Sequence, residues 1–147
     1  VTQGLTQETA EAVQRALGTE HAALWAYGLV SAFLPAGFDT AVQEGTLEHR
    51  GRRDAVSRML NAAKIAPAPA EPAYLPPKPV TDQATALSLL VQVEGDGSVA
   101  WRAVLERCDD AETRKVALTA LTETAVRGTR WRKAAGLAPL VPAMPGM

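Results

Sequence analysis

Aromatic residues make up only 5% of this 147-residue chain, and a sheet core built on aromatic side chains is not to be expected. There is one cysteine, Cys108, which excludes an internal disulfide framework and a thiolate metal cluster within one chain. Long hydrophobic runs are also missing. The longest, Ala22 to Leu34, is broken by Gly28 and Ser31 and falls short of the roughly 20 apolar residues that span a bilayer. Charge of one sign is missing too: the net charge is −1 and the pI about 6.2, so nothing global asks for a nucleic-acid or membrane partner. Val1-Thr2-Gln3-Gly4 carries neither the positive nor the apolar region of a signal peptide. The expectation is a soluble, cytoplasmic protein.

What the chain does have is alanine, which dominates a 47% hydrophobic composition and carries the best helix propensity. The length suits one domain able to bury a core without staples. Four segments read as helices, at about 6–34, 40–64, 82–107 and 110–135. Thr6, Thr9, Asp39 or Thr40, Thr81 or Asp82, and Asp109 or Asp110 are candidate caps, and Gly136 is the final stop. The tail after Gly136, with Pro139, Pro142 and Pro145, reads as an extended strap or a disordered end.

Short turns join helices one and two, and helices three and four, so each pair is predicted to be an antiparallel hairpin. Between the pairs, residues 66–80 hold six prolines. As polyproline II, this stretch reaches about 45 Å, longer than a helix of some 25 residues at about 38 Å. The prediction is therefore an all-α antiparallel four-helix bundle with one long Pro-rich crossover between helices two and three.

Heptad spacing places polar residues on the apolar seams. Val13, Leu17, Glu20, Leu24, Tyr27, Ser31 and Leu34 share one face of helix one, and Val42, Thr46, His49, Arg53, Val56 and Leu60 share one of helix two. Leu87, Leu90, Glu94, Ser98 and Trp101 do the same in helix three. Helix four allows two readings: Val116, Ala120, Glu123, Val126 and Arg130, or Leu118, Leu121, Ala125 and Gly128. Glu20, His49, Glu94 and Glu123 also lie within about one turn of their helix midpoints, so they are predicted to share one layer.

Converging buried carboxylates need neutralising. A divalent metal such as iron, manganese or zinc suits carboxylate and imidazole donors, which makes Glu20, His49, Glu94 and Glu123 candidate metal ligands. Arg53, Arg127 and Arg130 are the alternative charge partners, and shared protons are a third solution. Tyr27, two turns from Glu20, is placed to support such a centre or to take part in redox chemistry. His21 points about 100° away from Glu20 and reads as an edge residue.

Arg15-Ala-Leu-Gly-Thr-Glu-His-Ala-Ala-Leu-Trp-Ala-Tyr-Gly28, His49-Arg-Gly-Arg-Arg-Asp54, the proline-rich crossover, Glu94 through Trp101-Arg102, and Ala125-Val-Arg-Gly-Thr-Arg-Trp-Arg132 together resemble an actinobacterial ferritin-like family of unassigned function. The resemblance covers essentially the whole chain and implies a ferritin-like bundle without an established activity. The general di-iron pattern of such bundles has single glutamates on two helices and Glu-x-x-His on the other two. Here Glu20 and Glu94 match the single glutamates, His49 a motif histidine and Glu123 a motif glutamate. Thr46 stands where a glutamate belongs and Val126 where a histidine belongs.

The expectation is a bundle with an incomplete di-metal centre and no resident cofactor, acting as a non-catalytic structural or interaction protein. The alternative is a non-haem protein holding a single iron, manganese or zinc. Trp25, Phe33 and Phe38 lie off the central seam and are read as covering the crossover or forming a homodimer face. The basic clusters at His49–Arg53 and Arg127–Lys133, with Trp131 available to stack, offer a nucleic-acid reading. A solvated face with internal ion pairs accounts for them better.

Overall fold

Side-chain caps set three of the four helix starts in the computed structural model, which describes residues 5–147; the Val1–Gly4 segment weighed above as a leader lies outside the described residues. Thr6 precedes α1 (Gln7–Val30) and its hydroxyl accepts from the Thr9 N–H. Asp82 precedes α3 (Gln83–Arg107) in a reciprocal capping box with Thr85, and Asp110 caps α4 (Ala111–Ala135) through the Thr113 N–H. The exception is α2 (Asp39–Ala62). A 3-10 turn, Ala36–Phe38, leads into it, and Phe38 at its cap position makes no side-chain bond. Neither Asp39 nor Thr40 caps it; Asp39 is already helical, its charge facing the positive end of the dipole.

α1 ends at Val30, short of the predicted Leu34, and Phe33 donates instead to the Val30 carbonyl in a tighter turn. Pro35 then stops the chain from continuing as helix, because it disfavours helical geometry at Leu34. α4 closes on Gly136 in the left-handed region (φ 70°), with the Leu137 N–H donating to the Arg132 carbonyl.

Cross-helix bonds fix the directions. The Thr9 hydroxyl donates to the Arg107 carbonyl at 2.7 Å, and Trp101 and Glu94 of α3 meet Glu20 and Tyr27 of α1 in reverse order. α1 is therefore antiparallel to α3. It is antiparallel to α2 as well, since Glu20 meets His49 while Tyr27 lies against Gly45. Ser98 bonds Thr124 and Arg114 reaches the Leu105 carbonyl, so α4 is antiparallel to α3. It follows that α2 and α3 point the same way, and the chain between them must return along the bundle. It does so against α1: Gln14 donates to the Ala66 carbonyl and accepts from the Ala68 N–H, His21 bonds the Ala68 carbonyl, and Trp25 packs on Tyr74. The edge position expected for His21 thus serves to pin the crossover.

The packing is uneven. α3 packs closely on both α1 and α4, and α1 also packs on α2, whereas α2 and α4 stand apart. At one point close approach demands glycine: a Cβ on Gly45 would collide with the Tyr27 ring.

Two apolar clusters fill the bundle, one around Leu17, Leu60 and Trp101, the other around Val30, Leu90 and Trp131. Glu20, His49 and Glu94 lie between them. In α4 the inward residues are Thr113, Ala117, Ala120, Thr124, Arg127 and Trp131. Of the two predicted seams only Ala120 lies on this line, since both favoured larger aliphatic residues as inward; Leu118 and Val126 face solvent. The tail folds back along α3 and α4, with Arg132 donating to the Pro139 carbonyl and Arg102 to that of Pro145.

Candidate functional site

Glu20, His49 and Glu94 project from the middle of three different helices because each occupies the apolar seam of its own helix. They are 1%, 2% and 0% exposed. The imidazole lies between the carboxylates, Nδ1 at 2.6 Å from Glu20 Oε2 and Nε2 at 2.8 Å from Glu94 Oε1. Burial alone would push the His49 pKa down. The hydrogen bonds and charges of Glu20 and Glu94 outweigh it and raise the value to about 9. Both ring nitrogens then donate, and His49 is an imidazolium at neutral pH.

Trp101 Nε1 donates to Glu20 Oε1 at 2.8 Å, and Arg52 Nη1 donates to the same oxygen at 3.1 Å. Burial raises the Glu20 pKa, but the His49 hydrogen bond and the Arg52 charge prevail and hold the carboxyl below its ordinary value. On the other side, the Tyr27 hydroxyl donates to Glu94 Oε1 at 2.6 Å and accepts from Trp131 Nε1 at 2.8 Å. Burial and the Glu94 charge push the Tyr27 pKa far above its usual value, so the phenol keeps its proton. Tyr27 therefore touches the cluster directly.

Glu123 does not join this layer. Its side chain is 44% exposed at the bundle rim, where it accepts from Arg52. Arg52 thus spans from rim to core. Arg127 makes the matching link, pairing with Glu48 outside while its Nε lies 3.9 Å from Glu94 Oε1. Of the predicted charge partners only Arg127 is in place. Arg53 pairs with its neighbour Asp54, and Arg130 is exposed. Arg52 and the two indole donors are contacts that the seam spacing does not indicate. Tryptophan on an inward seam is a usable signal, because a buried indole N–H needs an acceptor and the carboxylates on the same seams are the acceptors at hand. Trp131, 3% exposed, is not available to stack on a base.

In this arrangement the donors do not fit a metal ion. Ligation needs a lone pair on an imidazole nitrogen, and both nitrogens of His49 face carboxylate oxygens at hydrogen-bond distance. Among the described residues, no three His, Cys, Asp or Glu side chains are disposed to hold one. One atom stands outside the network: Glu94 Oε2 is buried and has no hydrogen-bond partner among the described residues.

No protein of curated function matches the sequence. The crystal structure of a conserved hypothetical protein from Mycobacterium tuberculosis is similar, at 42% identity and a TM-score of 0.84, over 86% of this chain and 96% of that one. A family profile described as a domain of unknown function (DUF4439) matches residues 12–147, and the chain belongs to that family.

Proposed function

We propose that this protein is a ferritin-like scaffold in which an ion network takes the position of the metal centre, and that it works as a non-catalytic structural or interaction protein. The observation that carries this reading is the double engagement of His49, at 2.6 and 2.8 Å from Glu20 and Glu94. An imidazolium between two carboxylates supplies one of the positive charges a cation would bring to the layer. Arg52 and Arg127 supply the rest from the rim. The burial of all three central groups, 0–2% exposed, supports the non-catalytic part, since a general base must come within hydrogen-bond reach of its substrate.

The test is metal analysis of protein purified without chelator after growth with iron, manganese and zinc, paired with nitrogen NMR of the imidazole. Metal-free folded protein with both His49 nitrogens protonated is the expected result. Stoichiometric metal that disappears in His49→Ala overturns it.

A second reading is a single iron, manganese or zinc held by Glu20, His49 and Glu94, without the rim residue Glu123. The unpartnered Glu94 Oε2 favours it, because a buried carboxylate oxygen without a partner costs about 1–3 kcal/mol or more. It requires His49 to give up one carboxylate and bind as neutral imidazole. The same metal analysis decides it.

A further inference from the structure

α2 carries a stripe of residues that its own chain leaves uncovered. Glu44, Leu47, Gly51, Ala55 and Arg58 follow one another by three or four positions, so they share one face, and all five are exposed. Leu47 is 64% exposed. The face opposite, with Val42, His49, Val56 and Leu60, is the one turned into the bundle. Where α2 and α4 stand apart, a groove of about 520 Å³ opens beside the stripe, with Gly51 and Ala55 on one wall and Thr119 and Ala120 on the other.

Gly51 has no evident purpose within the chain. A Cβ added there meets nothing within 4 Å, yet glycine inside a helix is less favourable than alanine. Glu44 and Arg58 form no ion pair among the described residues. Reversal of the stripe relates all of these features. Glu44 and Arg58 lie seven positions either side of Gly51, and Leu47 and Ala55 lie four either side.

We propose that this face of α2 docks antiparallel on the same face of a second copy of the chain, with the two-fold axis passing at Gly51. About that axis Glu44 meets Arg58 of the second copy at both ends of the contact, and Gly51 meets Gly51, letting the two backbones approach closely. Leu47, which lines the groove of its own copy, then packs over Ala55 of the second copy at the groove mouth beside Thr119. The opposite charges of Glu44 and Arg58, neither paired among the described residues and brought together at both ends by this reversal, are what point to a second copy as the occupant. The face of Trp25, Phe33 and Phe38 expected from the sequence is less suited, as Trp25 packs on Tyr74, Phe38 on Trp131 and Phe33 against the second apolar cluster. The inference stands independently of whether the central layer binds metal.

Sedimentation equilibrium of the full chain over a concentration series tests it, with circular dichroism on every variant to show an unchanged helical content. The wild type is expected to dimerise. Glu44→Arg and Arg58→Glu should each weaken the dimer by about tenfold or more, since each sets like charges together twice, and the double exchange should restore it. Gly51→Cys should give a disulfide-linked dimer on mild oxidation, whereas the wild type, whose Cys108 is buried, should not. A wild type that stays monomeric overturns the proposal. So does a dimer that the single exchanges leave intact or the double exchange fails to restore, or a Gly51→Cys variant that does not cross-link.

Discussion

The bonds around His49 and the rim pairs of Arg52 and Arg127 use the same kinds of group, but in different surroundings. Glu20, His49 and Glu94 are sealed between two apolar clusters, and each bond there joins helices that already pack closely against α1. Arg52 with Glu123 and Arg127 with Glu48 bridge the one seam where the helices stand apart, and both glutamates are 44% exposed. In the first region water cannot replace a lost partner; in the second it can. The same charge chemistry therefore specifies the interior and only tethers the edge.

Removing the shared cation breaks the comparison most sharply. His49→Ala strands Glu20 and Glu94 in the core and is expected to lower unfolding free energy at pH 7 by about 3–5 kcal/mol, read by urea denaturation. A loss below about 1 kcal/mol would mean the layer is wetter than its burial indicates.

Titration sharpens the same contrast. The folded His49 pKa of about 9 lies above its ordinary 6.5, so the stabilisation is fully present below pH 6.5 and is lost as pH rises through about 9. The loss amounts to about 3 kcal/mol. Glu20, held below its usual value of 4.5, contributes stability that disappears as pH falls through its lowered pKa. Denaturation midpoints from pH 5 to 10 should show the alkaline decline in wild type and not in His49→Ala.

Tyr27→Phe comes next. It leaves the Trp131 N–H without its acceptor and takes a donor from Glu94, at an expected cost of about 1–3 kcal/mol. The smallest effect is expected at the rim: Glu123→Ala should change stability by less than about 1 kcal/mol, and less still in high salt. An effect at Glu123 as large as at Tyr27 would erase the distinction between interior and edge.

The bundle and three of its seams were legible because large aliphatic residues mark the inward faces of α1, α2 and α3. α4 offers no such mark. Its inward line is alanine, threonine, Arg127 and Trp131, while Leu118 and Val126 point outward, so counting apolar residues misleads by about one position. This is also why Glu123 was assigned to the layer. Arg52 and Arg53 illustrate a second limit. They lie three and four residues after His49, flanking its face from either side, and helical period cannot decide between them. The position of Glu123 across the open seam makes the choice. Trp101 and Trp131 were visible as core-sized residues, but the direction of an indole N–H depends on the rotamer and not on spacing.

The crossover has a bearing on the order in which the chain leaves the ribosome. α1 and α2 emerge first and can close as a hairpin with the strap laid along α1, at which stage His49 has Glu20 as its counter-ion but neither Glu94 nor Trp101 has been made. α3 must then enter parallel to α2. Any one-turn slide would bring Leu90 or Ser98 to the imidazole in place of a carboxylate. The polar layer therefore sets the register of α3: a slide by one turn either way leaves the charge of His49 without its Glu94 partner.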